Sequence, residues 1–125
     1  MTAPPLRQQD LIPEMVRRVP YTAQVATAAT TATTLVTADV QYITRGRVLV
    51  CERGGAAATF RIALRPLGAT LANAHYIVYD APLVAYENDH TIELELAPTD
   101  VITVYASTAN LSFTFNGYKE PYDTL

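Results

Sequence analysis

From Tyr21 onward the chain is a series of two-residue alternations broken by turn clusters. In ATFRIALRP, Phe60, Ile62 and Leu64 fall on one face and Arg61, Ala63 and Arg65 on the other, the period of a half-buried strand. TIELEL repeats the pattern, with Ile92, Leu94 and Leu96 inward and Thr91, Glu93 and Glu95 outward. AHYIVYDAPL is a strand with two apolar or aromatic faces, and the stretch 25–52 concentrates β-branched residues at Thr33, Thr34, Val36, Val40, Ile43, Val48 and Val50. DVITVYASTANLSFTFNGY, residues 100–118, reads as a hairpin whose second strand shares Leu111, Phe113 and Phe115 on one face. ERGG, ENDH and APTD mark the turns between these segments. Roughly seven or eight strands spaced at about 8–12 residues, without a convincing helix among them, predict an all-β chain: an antiparallel β-sandwich, jelly-roll-like. A parallel sheet would need longer crossovers than these turns supply.

The first twenty residues do not follow the pattern. Prolines stand at 4, 5, 13 and 20, and no alternation connects them. Pro13 suits the first turn of a short helix over Glu14 to Arg18, which Pro20 would stop. The expected organisation is an extended N-terminal arm at 1–20, a sandwich domain at 21–118 and a short C-terminal tail at 119–125. Such an arm is ordered only by what it docks on, which points towards partners.

Half of the 125 residues are apolar, enough for a core without disulfide staples. The single cysteine, Cys51, lies in the strand-like run GRVLVCER and is expected to be a buried structural thiol. No apolar run approaches the roughly 20 residues of a membrane span, and MTAPPLRQQD lacks the features of a secretory signal. The expectation is a soluble product made in a cytoplasm. The net charge of −3 is unevenly spread: residues 1–79 hold eight of the nine basic residues and four acids, and residues 80–125 hold Lys119 against eight acids. Scattered arginines and almost no lysine weigh against nucleic-acid binding. Two readings of the asymmetry stay open: opposite faces of neighbouring subunits meet, or adjacent strands neutralise each other within one domain.

Few groups converge for chemistry. Glu87, Asp89 and His90 are close in sequence but match no metal-binding spacing, and Asn and Asp favour turns by bonding nearby backbone. His75 opens an aromatic strand and is read as a packed or surface imidazole. Ser107 and Ser112, the only serines, lie in no nucleophile elbow. Glu93 and Glu95 share a strand face about 7 Å apart, a separation glycosidase carboxylates can have, but alternation with leucines reads as a solvated face. The eight tyrosines, among them Tyr76, Tyr79, Tyr86, Tyr105 and Tyr118, in a chain without Trp suit subunit contacts better than a sugar platform.

The stretches VCERGGAAATFRIALRPLGATLANAHYIVYDAPL and PTDVITVYASTANLSFTFNGY resemble a family of small β-sandwich virion proteins of tailed bacteriophages. The likeness covers about residues 40–118. It implies a non-enzymatic assembly component without cofactor or metal, located in the virion. The leading reading is a capsid cement or decoration protein at the capsid surface, a homotrimer whose partners are the major capsid protein and itself. A tail or baseplate component is the alternative, a carbohydrate-binding adsorption module the third reading, and a depolymerase the fourth; none involves a membrane. The chain departs from the family pattern at its two ends. Candidate partner-binding residues are therefore Leu6, Arg7, Leu11, Ile12, Met15, Arg17 and Arg18 in the arm, with Tyr118 and Tyr122 near the other terminus.

Overall fold

A computed structural model of the chain describes residues 17–89 and 92–121. Nine strands follow in order: β1 (Val19–Ala26), β2 (Thr33–Thr37), β3 (Tyr42–Glu52), β4 (Ala58–Arg65), β5 (Tyr76–Leu83), β6 (Asn88–Asp89), β7 (Glu93–Leu96), β8 (Val101–Ala106) and β9 (Leu111–Pro121). Two short 3-10 turns, Pro66–Gly68 and Asn73–His75, precede β5. One sheet runs β1-β9-β3 and then β6 and β7, both paired to β3; the other runs β2-β8-β4-β5. All pairs are antiparallel. With β6 and β7 sharing one edge position, this is the strand order of a jelly roll, the expected all-β sandwich.

The alternation read from the sequence fills the space between the sheets. Val48, Val50, Phe113, Phe115, Leu111 and Leu96 from one sheet meet Phe60, Ile62, Ile102, Val104 and Val36 from the other, all essentially buried. Phe60 and Phe113 make the aromatic contact across the layers, edge to face with centroids 6.3 Å apart. Burying each such side chain stabilises the fold by about 1.5–3 kcal/mol.

Three expectations are revised. The stretch 100–118 is not a hairpin: β8 pairs with β2 and β4, and β9 pairs with β1 and β3, so residues 107–110 carry the chain from one sheet to the other. Both strands bury one face in the same core, and alternation is identical for a hairpin and for such an arch. Cys51 is exposed, because Val50 and Glu52 take the inward positions on either side of it. The first strand starts before Tyr21: Arg17 closes a 3-10 turn, and Pro20 lies in β1 opposite Tyr118, on an edge strand where a missing N–H is tolerated. Pairing therefore extends beyond 21–118, with Val19 opposite Lys119 and Tyr42 opposite Pro121. Of the expected helix at 14–18, residues 14–16 lie outside the described residues.

The registers give the sandwich two distinct ends. β1 enters and β9 leaves at one of them, beside the connections 38–41, 66–75 and 97–100. The connections 27–32, 53–57, 84–87 and 107–110 lie at the other.

Candidate partner-contact face

Three of the candidate contact residues are described. Leu6, Arg7, Leu11, Ile12, Met15 and Tyr122 lie outside the described residues, while Arg17, Arg18 and Tyr118 fall at the terminal end of the five-stranded sheet. The structure brings two of these together: the Arg18 guanidinium lies over the Tyr118 ring, 4.4 Å from its centroid. Arg17 is exposed. Tyr118 points outward from β9 because its neighbours in the alternation, Phe115 and Phe113, point into the core. Across the sheet it stands opposite Arg45, and Arg45 stands opposite Glu95.

A depression of about 450 Å³ opens here, lined by Arg45, Arg47, Glu93, Glu95 and Tyr118 around Gly46, Leu94 and Gly117. Its floor follows from a pair of glycines. Gly46 and Gly117 face each other in register, and a Cβ at 117 would stand 2.5 Å from Gly46 Cα and 2.8 Å from Arg45 C. No side chain fits between the two backbones. On the core side, the Phe115 ring occupies the space Gly46 leaves, with Tyr21 packed against it edge to face at 6.0 Å. Two further depressions, about 490 Å³ beside Leu49, Cys51 and Thr114 and about 300 Å³ beside Gln24 and Ser112, lie on the same sheet.

The walls are electrostatically closed. Arg45 pairs with Glu120 and, at 3.3 Å, with Glu95; Arg47 holds Glu93 at 2.5 Å. The bond to Glu95 is the main reason the Arg45 guanidinium is held more firmly in its charged form. Lys119 holds Asp39 at 3.1 Å and lies over the Tyr42 ring; that hydrogen bond lowers the Asp39 carboxyl below its ordinary value. On the other sheet Arg61 pairs with Asp80 at 2.7 Å. Arg45, Arg47 and Arg61 of the basic first part of the chain and acids of the last part thus neutralise each other within one domain. Glu93 and Glu95 do share a face, as expected, but each is engaged by arginine.

The other groups weighed for chemistry are similarly engaged. His75 Nδ1 accepts the Ala72 N–H at 3.0 Å. Ser107 Oγ accepts the Thr59 N–H at 2.9 Å, while the Ser107 N–H donates to the Thr59 carbonyl. Glu87 accepts the Val84 N–H at 3.0 Å, and His90 lies outside the described residues. Among the described residues no group of three His, Cys, Asp or Glu is placed to hold a metal ion, and no helix is long and apolar enough to cross a membrane.

The sequence reading missed a set of polar fasteners. Glu52 is buried, and its carboxylate accepts backbone N–H groups of Gly54 and Gly55 at 2.7 Å, Tyr86 at 3.0 Å and Ala56 at 3.3 Å. The Tyr86 bond foremost, these donors hold its carboxyl below the usual range. Asp100 accepts from Leu67 and Ala97, tying the 66–68 turn to the 97–100 turn. Arg65 donates to the carbonyls of Ala69 and Gly68. Arg61 lies over Tyr79 at 4.1 Å and Tyr105 at 4.3 Å while it grips Asp80, whose φ of 51° marks a bulge in β5. Burial of an acid at the last inward position of a strand, next to two glycines, was the available signal for Glu52.

No family model matches the chain, and no curated protein does. Among solved structures it is similar to a crystal structure of a pentameric capsid protein isolated from metagenomic phage sequences. The two are 18% identical, with 93% of this chain and 68% of that chain covered and a TM-score of 0.31, a weak structural similarity to a phage capsid protein.

Proposed function

We propose that this chain is a non-enzymatic structural protein of a tailed-bacteriophage virion and acts as a capsid cement or decoration protein. One observation carries the reading. The residues of the stretches that resemble the virion family are the fasteners of this jelly roll: Glu52 in VCERGG, Arg61 and Arg65 in ATFRIALRP, Asp80 in YD, Asp100 in PTD and Ser107 in YAST. The stretches that carry the resemblance thus supply the bonds that fasten this sandwich. Jelly rolls recur in viral capsid domains, though also in lectins and cupins, so the architecture alone would not choose among them. A sandwich stitched at both ends suits a part that must stay folded while being pulled by its neighbours. β1 begins at the end where Arg18 and Tyr118 meet, and in this reading an N-terminal arm reaches the major capsid protein, with the sandwich repeated as a trimer.

Quantitative mass spectrometry and cryo-electron microscopy of purified particles test the proposal. Many copies spread over the shell are expected, and capsids lacking the protein should lose resistance to heat or low salt. A few copies confined to the tail would make it a tail or baseplate component instead. Capsids as robust without it as with it would rule out the cement role.

A further inference from the structure

At the terminal end Arg45 and Lys119 each hold a carboxylate. At the opposite end the loops 53–57, 84–87 and 107–110 close around the buried Glu52, and two charges are left over. Arg53 is exposed and donates only to the Ala109 carbonyl, at 3.2 Å. Glu87 is exposed and its carboxylate accepts only the Val84 N–H. Neither has an opposite charge within ion-pair distance among the described residues.

Between them stands Tyr86. Its backbone φ is 59°, a left-handed conformation that bulky residues rarely adopt. Two contacts hold it there. Its N–H donates to Glu52 at 3.0 Å, and its ring covers the glycine turn so closely that a Cβ at Gly55 would lie 2.7 Å from Tyr86 Oη. The side chain is fixed in place and still 75% exposed, and neighbouring Val84 is 61% exposed. Among the described residues Tyr86 stacks on no other ring and no cation. A strained backbone that holds an aromatic ring in solvent is the expected form of a contact anchor, because its ordering entropy is spent before any partner arrives.

We propose that this end of the sandwich is a self-contact surface, in which Tyr86 and Val84 form the apolar anchor and Arg53 of one copy pairs with Glu87 of another. The charges select the occupant. A patch with one free cation, one free anion and an apolar centre is complementary to a rotated copy of itself, and the assembly is closed where that rotation closes. A uniformly acidic or basic partner would leave one of the two charges facing its like. The surface lies at the end of the sandwich opposite the start of β1. The contact stands on the loop geometry; only the number of copies drawn together in a particle rests on the virion reading.

Sedimentation velocity of the full chain from low micromolar to about 1 mM tests it. Wild type should associate. Tyr86→Gly keeps the N–H that Glu52 uses and relieves the left-handed strain, so it should stay folded while self-association weakens at least about tenfold. Arg53→Glu and Glu87→Arg should each weaken association, and the double swap should restore it. A wild-type chain that stays monomeric throughout, or an assembly indifferent to Tyr86→Gly and to the swaps, would overturn the contact. The virion reading fails separately, by absence of the protein from purified particles.

Discussion

Gly117→Ala probes the floor of the outer-face depression. The added Cβ would meet Gly46 Cα at 2.5 Å, Arg45 C at 2.8 Å and, closest of all, the Arg45 carbonyl oxygen. Every one of these atoms is backbone, so no side chain can swing aside; β3 and β9 themselves must part in the middle of their shared ladder, which runs from Tyr42–Pro121 to Glu52–Leu111. Overpacking of this kind costs about 1–3 kcal/mol, and a rigid backbone neighbour places this site near the upper value. Lower chain entropy in the unfolded state returns about 0.4–1 kcal/mol. A net loss of about 2 kcal/mol corresponds to a fall in Tm of about 8–16 °C for a domain near 100 residues. Gly54→Ala is the comparison: its Cβ would meet the Asn110 side chain, whose amide can swing away but whose Cβ at 2.8 Å cannot, so it should destabilise by less than Gly117→Ala. Gly46→Ala should also destabilise, against the Asn116 carbonyl and Phe115 Cζ, and the double variant should cost less than the sum because both widen one gap. Thermal unfolding followed by circular dichroism reads all four. A Gly117→Ala protein melting within about 2 °C of wild type would mean that the strands do not approach as described.

Glu52→Gln should lower Tm at neutral pH and free the 84–87 turn to faster amide exchange, because an amide oxygen replaces a carboxylate that serves four N–H donors. Since the folded carboxyl is depressed, the wild-type advantage is complete above the ordinary glutamate value of about 4.3 and shrinks as pH falls through the lower folded value; an advantage independent of pH down to about 2 would refute the assignment. Cys51 should react with a thiol reagent in the native protein at a rate near that in denaturant, because its side chain lies on the outer face beside Thr114; labelling only after unfolding would restore the buried reading.

Much of the sandwich is local information. Alternation at 60–64, 93–96 and 111–115 assigned inward and outward faces that the core then confirmed, because a strand buries every second residue whatever its partner. The same periodicity is silent on which strands pair. Residues 100–118 carry identical alternation as a hairpin or as an arch between sheets, and only the competing partners β1, β2, β3 and β4 decided for the arch. The exposed Cys51 has the same cause: the parity of β3 is set by Val48 and Val50, and Glu52 keeps an inward place that composition would deny an acid because four backbone donors meet it there. The candidate contacts divide likewise. The sequence singled out Arg18 and Tyr118 as candidate contacts, but their meeting, a hundred residues apart along the chain, needed β1 and β9 to pair. Arg53 lies far from Tyr86 and Glu87 in the sequence, and no spacing there joins it to the other two. They come together through one buried carboxylate that binds two distant turns, a bond that exists only once the chain has folded.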